Sequence, residues 1–485
     1  MRYLVIPGYD IPATYKVKKS TTSKLGTYFQ LGYDNIHPLN DKQQLIKFNP
    51  SLTLLRENKN SSTYLMVYRA VYPAHPLPDN QTVMMPRQPP YKTSMWDTKW
   101  NSIWGGSGAA IVRISRDGSI NVTNDKILPK DFSYVEDARI YKHRGQLQVH
   151  FTTYTYWQEF KNAGQELTDC PDRKGGLCII QMTQGVKQTG TSIKTIGKPT
   201  VLCRNVHERF EKNWCFVPSD PRRRLFQYGL FPRLRFLESP NDAPHNLNNC
   251  KIIEPPRSDF FLKLWNYYKR FYPMKYFKGG VSGTTPLFDY HKDYYLGVGH
   301  MKVVYTKMPL SQIRGSNKKL FVFMRELVDL LGLKEVPTGK WPIMSPYVNP
   351  AAPYIYLSFF YTINKKDLSL RRFSPAFLPQ NRNLPYIQTV TFPMTIEKFG
   401  GDNIVVSQGV GDINCGFMIF SRSEIGKLLK YNNGTNPEEF EYKMLYPELR
   451  PFIKQGSMPK RKFAEQVRNT TQGVIRKTPQ KKTSV

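Results

Sequence analysis

One feature constrains this chain more than any other. Between about residues 45 and 420, pairs of short strand-like runs recur, each pair joined by residues that favour tight turns. LIKFNPSLTLL and TYLMVYRAVY flank Glu57-Asn58-Lys59-Asn60. Two further runs flank Arg116-Asp117-Gly118, and Asp-Gly is a strong hairpin signal. Glu136-Asp137-Ala138-Arg139 leads into a strand, Arg144-Gly145 turns it, and LQVHFTTYTY alternates as a sheet strand does. The stretch Phe210–Gly229 repeats the plan, with the polar group Glu211-Lys212-Asn213-Trp214, a short apolar run, a turn bounded by Pro218 and Pro221 around Asp220, and a returning strand. GGVSGTTPLFDYHKDYYLGVGHMKV and DNIVVSQGVGDINCGFMIF extend it toward the C-terminus.

About five such units follow one another. Regular all-β repeats of this size specify a propeller or a solenoid. Helical spacing is confined to insertions, near residues 257–277 and 317–334. The sequence therefore reads as an N-terminal extension over 1–40, an all-β propeller over 41–422 and a short helical segment over 423–455. A basic disordered tail over 456–485 ends it. In a propeller the innermost strands converge on one axis, so polar residues distant in sequence can share a pocket. Arg69, Asp137, Arg139, Lys212, Asn213, His300 and Asp412 all lie at strand ends or adjoining turns.

Composition narrows the function classes. The 485 residues include 30 Tyr and 28 Phe, which favours strands. A net charge of +33 implies attraction to polyanions, or simply a lysine-rich solvated surface. The six cysteines include no C-x-x-C, which argues for free buried thiols in a reducing compartment over a zinc site. The apolar run before Pro7 is too short for a signal-peptide core, and no run approaches a bilayer span. These features lead to an expected cytoplasmic location.

The order of motifs resembles the five-bladed propellers of family 130 glycoside phosphorylases and their β-mannosyltransferase relatives. They share an architecture with family 43 glycosidases. The matching motifs are FNPSL with VYRAV, then EDARI, EKNW, SGTTPLF with YYLGVGH, and VVSQGVGD. Proteins of large DNA viruses look similar, and the basic insertions and tail suit such a source. The resemblance implies a five-bladed ring and a general acid at Asp137, with Ala138 standing where the family carries proline. It implies phosphate-binding groups at Arg69, Lys212 and His300 and a sugar-binding aspartate at Asp412. It implies no cofactor, only inorganic phosphate or a sugar phosphate as co-substrate, acting on mannose-type glycosides.

The residue types suit that chemistry. Breaking or making a glycosidic bond needs a proton donor near the bridging oxygen. Arg, Lys and His, with Arg139 and Asn213 beside them, would hold phosphate through charge-assisted hydrogen bonds, and Trp214 could stack on a sugar face. Alternation along a strand would send Glu136 and Asp137 to opposite faces, so only one enters the pocket. Each residue also has a plainer reading. Asp137 and Arg139 could form a strand-end pair, Arg69 and Lys212 inter-blade ion pairs, His300 and Trp214 core, and Asp412 turn chemistry. The rival function is a non-catalytic propeller, a structural or virion protein. It would meet nucleic acid or an acidic partner through its tail and the Arg222-Arg223-Arg224 turn.

Overall fold

Arg144 and Gly145 turn the chain with both residues in the left-handed region (φ 51° and 76°), as a two-residue hairpin between right-twisted strands requires. The computed structural model describes residues 2–7, 46–71, 106–128, 136–156, 177–190, 192–203, 213–219, 222–239, 250–256, 258–269, 281–304, 318–331, 354–379, 391–410 and 414–445. Within them strands dominate and are gathered into five sheets.

The chain begins with β1 (Arg2–Pro7), which joins a sheet built by much later strands. The first blade is β2 (Ile46–Glu57), β3 (Ser61–Val71), β4 (Gly106–Ser115) and β5 (Ile120–Ile127), in that order. The second is β6 (Glu136–His143), β7 (Gln146–Tyr156), β8 (Leu177–Thr189) and β9 (Ser192–Val201). The third is β10 (Cys215–Val217), β11 (Arg224–Gly229), β12 (Arg235–Ser239) and β13 (Lys251–Ile253). After helix α1 (Phe260–Lys269) come β14 (Val281–Gly283), β15 (Phe288–His291) and β16 (Tyr294–Val304). Beyond helix α2 (Lys318–Leu331) lie β17 (Tyr354–Asn364), β18 (Leu370–Phe373) and β19 (Ala376–Pro379). The closing blade is β20 (Thr391–Phe399), β21 (Asn403–Val410) and β22 (Asn414–Ser421), with β1 as its outer strand. Helix α3 (Arg422–Leu428) and β23 (Tyr442–Leu445) follow.

The five-bladed ring expected from the sequence is corrected here to four blades. Four sheets are four-stranded blades, and the other is a wide sheet of seven strands. Its backbone is the long β16–β17 pair, to which β14, β15, β18 and β19 add as antiparallel partners. The segment PEEFEYKML, expected as helix, gives one 3-10 turn at Pro437–Glu439, and β23 then pairs in parallel with β19. The arrangement is propeller-like. Successive sheets pack face to face around a ring, through five apolar clusters that each join neighbouring sheets. The innermost strands β2, β6 and β20 meet at its centre.

The helices are accessory. In α1, Phe260, Phe261 and Leu264 face the wide sheet, where Phe260 lies 4.1 Å from Phe373. In α2, Leu320 and Phe323 do the same beside Tyr442. A full capping box starts α3, Ser421 accepting from the Glu424 backbone while the Glu424 carboxylate accepts from the Ser421 N–H. No described helix is long and apolar enough to cross a membrane.

The cysteines correct a second expectation. Cys203 and Cys250 form a disulfide between the end of the second blade and the start of β13, whereas Cys215 and Cys415 are buried thiols. Cys170 and the side chain of Cys178 lie outside the described residues. Composition and spacing say nothing of which thiols meet, and only the fold brings these two Cα atoms to 5.5 Å.

Candidate functional site at the centre of the ring

The inner strands are not regular at one common level. In the first blade Phe48 opposes Arg69 and Ser51 opposes Val67, so Asn49 and Pro50 are bulged against a single residue. In the second, Glu136 opposes Thr152 and Arg139 opposes His150, so Asp137 and Ala138 form the equivalent bulge. In the closing blade the ladder slips between Pro393 and Thr395. Pro393 is tolerated there because β20 is an edge strand. A bulge breaks the period-two alternation, so the sequence argument for Glu136 and Asp137 on opposite faces does not apply at this position.

Two bulges and the residue run just before β10 deliver three side chains to one place. Asn49 (φ 51°), Asp137 (φ 51°) and Asn213 (φ 74°) each adopt the left-handed backbone, which costs a non-glycine residue about 1–3 kcal/mol and persists only where the surroundings impose it. Asn49 donates from Nδ2 to Asp137 Oδ1 at 2.8 Å. Arg69, reaching in from β3, stands 3.9 Å from the same oxygen. Gly409 of β21 is the neighbour that permits this: a Cβ there would collide with the Asn49 side chain.

Arg139 is the most completely engaged residue of the group. Its Nε donates to the Thr284 carbonyl at 2.7 Å, one terminal nitrogen to the Asp137 carbonyl at 2.9 Å, and the other to Asn213 Oδ1 at 2.9 Å. It is 1% exposed, and its guanidinium lies 5.8 Å from the centre of the Phe392 ring. The sequence placed Arg139 against substrate or phosphate. In the structure each of its three guanidinium nitrogens donates to a protein oxygen.

Two other expectations change. Trp214 is core: its ring packs at 5.5 Å against Tyr228 and 6.4 Å against Phe226, so it offers no platform to a sugar. His300 is wholly buried, 5.2 Å from both Tyr356 and Phe392. Burial, reinforced by the Lys302 and Arg139 charges, holds its imidazole well below the usual histidine range. It is therefore neutral near pH 7 and unsuited to charge-assisted binding of phosphate. His150, opposite Arg139, is likewise held down, to about 3, by burial and then by Arg139, while its Nε2 meets Gln181 Oε1 at 2.7 Å. Burial pushes the Cys215 thiol up to about 12, which leaves it inert as a nucleophile.

The structure thus brings together Arg69, Asp137, Arg139 and Asn213 from the predicted set, places His300 beside them across Phe392, and assigns Trp214 to the core. Lys212 and Asp412 lie outside the described residues. Sequence reasoning missed Asn49, Thr284, Phe392 and Gly409. For Asn49 the signal was the Asn-Pro pair inside an otherwise apolar strand, since proline marks a bulge or an edge. Among the described residues no three His, Cys, Asp or Glu side chains are grouped to hold a metal ion. A cavity of about 410 Å³ lies at the far end of the ring, lined by Arg116, Phe399 and Gly400–Asn403 among others, and none of the candidate residues borders it.

No family model and no curated protein matches the chain. Solved structures similar to it include a β-1,2-mannobiose phosphorylase from Listeria innocua, 12% identical over 86% of this chain and 99% of that one, with a TM-score of 0.42. A GDP-Man-dependent mannosyltransferase from Leishmania mexicana is 9% identical over 78% and 85%, with a TM-score of 0.34. An α-L-arabinofuranosidase from Lactobacillus brevis is 10% identical over 80% and 93%, with a TM-score of 0.33.

Proposed function

We propose that this chain is a carbohydrate-active enzyme, a glycoside phosphorylase or a glycosyltransferase acting on mannose-type glycosides, with Asp137 as general acid. One observation supports it above the others. A carboxyl group, two asparagines and two guanidinium groups converge at the axis, and the carboxyl and both asparagines stand on left-handed backbone. Such strain concentrates at functional sites. Two arginines against one carboxylate leave the group net positive, which favours an anionic co-substrate such as phosphate or a nucleotide-sugar diphosphate.

In this reading Asp137 delivers its proton to the bridging oxygen as the glycosidic bond breaks, and the anion beside Arg69 attacks or leaves at the anomeric carbon. Asn49 fixes the orientation of the carboxyl, while Lys212 and Asp412 complete the phosphate and sugar contacts. Purified protein should turn over at least one member of a panel of β-mannosides with phosphate, or of sugar-1-phosphates with acceptors. Asp137→Asn should lower that rate by about 10²–10⁴-fold. Folded wild-type protein that turns over nothing in either direction overturns the reading.

A second reading draws on the opposite end of the strands. There the hairpin turns of the second and third blades carry exposed Lys142, Arg144, Lys187, Lys194, Arg222 and Arg223 beside the half-buried Arg224, and Glu238 pairs with Arg223. Arg224 lies close enough to Tyr141 to bring the two sets together. A non-catalytic propeller would use that sector for nucleic acid or an acidic partner. DNA affinity falling steeply between 50 and 200 mM salt supports it, and affinity independent of salt excludes it.

A further inference from the structure

We infer that Arg139 is a positioning residue of the central site and not a ligand of the substrate, a conclusion that rests on Asp137 being the reacting carboxyl. A guanidinium has its donors in one plane, arranged as a fork. At Arg139 all three nitrogens of that plane are engaged, by the Asp137 carbonyl of β6, by Asn213 just before β10 and by the Thr284 carbonyl just after β14. The three acceptors are two carbonyls and an amide oxygen, all neutral. The nearby carboxylate of Asp137 is engaged instead with Asn49 and Arg69.

Two of those three bonds fall on residues in the left-handed backbone conformation. Arg139 holds Asp137 by its main chain and Asn213 by its side chain, so one group fixes both. It cannot release them to bind an anion without freeing the bulge that aims Asp137. The ring of Phe392 closes one side of the guanidinium, and 1% exposure leaves no approach for a ligand. Arg69 differs: its side chain is 15% exposed and it faces the carboxyl itself. The two arginines thus divide the work, Arg69 facing the reacting groups and Arg139 holding the frame.

Lysine keeps the charge but has no fork, so it cannot reach all three acceptors at once. Arg139→Lys is therefore the informative variant. Its crystal structure should show Asp137 out of the left-handed region. Calorimetry should show phosphate affinity within threefold of wild type. Turnover should lose at least a hundredfold in kcat while KM for phosphate stays near the wild-type value, a split that general loosening of the ring would not give. The inference fails if Asp137 keeps its position in this variant, if phosphate affinity drops tenfold or more with Asp137 in place, or if a phosphate complex of the wild type shows the anion on Arg139. Should wild-type protein turn over nothing, the enzymatic reading falls, and the Asp137 backbone in the variant still decides the positioning role. Should Arg139→Lys not fold, Asn213→Ala removes one acceptor alone. It should lower kcat at unchanged phosphate affinity, and an unchanged kcat there overturns the inference.

Discussion

The ring has two kinds of seam. Between the first and closing blades directional hydrogen bonds are added to an apolar cluster of mostly aliphatic side chains. The Leu52 N–H donates to Thr395 Oγ1 at 2.8 Å, Ser407 Oγ donates to the Pro50 carbonyl at 2.6 Å, and the Tyr64 hydroxyl donates to the Lys398 carbonyl at 2.6 Å. Between the second and third blades the contacts are aromatic. Tyr141 stacks on Phe216 at 4.1 Å, and Phe226 meets Tyr141, His150 and Phe216 edge-on. The difference is instructive. Hydrogen bonds fix register, which matters where β2 and β20, far apart in the chain, must align their bulges. Aromatic stacking supplies burial with looser geometry, which suffices between blades adjacent in sequence.

A single truncation should therefore cost more stability at the aromatic stack, and a lost hydrogen bond between the first and closing blades should cost more geometry. Phe216→Ala should cost the most, about 3–5 kcal/mol in denaturant unfolding, because it empties the centre of the cluster. His150, buried in the same seam, makes that side acid-sensitive. Its folded value of about 3 lies below the ordinary 6.5, so the unfolded chain binds the proton first. Its contribution to stability is full above about pH 6.5 and is lost as pH falls toward 3. Unfolding at pH 5 should be about 2 kcal/mol easier than at pH 7 on this account, and His150→Gln should remove that difference. Ser407→Ala between the first and closing blades should cost about 1–2 kcal/mol, since it strips the buried Pro50 carbonyl of its donor. Its effect on turnover should exceed that of Phe216→Ala measured well below the unfolding transition. Least of all, Lys398→Ala should change stability by no more than about 0.5 kcal/mol, because its pair with Glu57 at 2.8 Å is solvent-exposed on the lysine side. A larger loss from Lys398 than from Phe216 would reverse the comparison.

Local signals were readable in the sequence, and non-local ones were not. Arg116-Asp117-Gly118 and Arg144-Gly145 announce their hairpins because turn chemistry is written in adjacent residues. Arg69, Asp137, Arg139 and Asn213 were legible as strand-end polar residues that an axis would gather. The bulges were not, because left-handed asparagine and aspartate carry no compulsory glycine to mark them. Trp214 was ambiguous for a related reason. An indole beside a polar loop can face ligand or core, and only the packing of Phe226 and Tyr228 decides. RYLVIP is too short to reveal a partner, and YKML followed a run of charged residues that suggested helix until β19 offered it an edge.

The pairing of β1 has a consequence for synthesis. Arg2 sits opposite Ile419 and Pro7 opposite Asn414, so the earliest of the described strands finds its partner only after β22 has been translated. At about 10 residues per second, RYLVIP waits on the order of 40 seconds as an unpaired edge on a nascent chain. The closing blade therefore gains its outer strand last, by joining the earliest described strand to one of the latest.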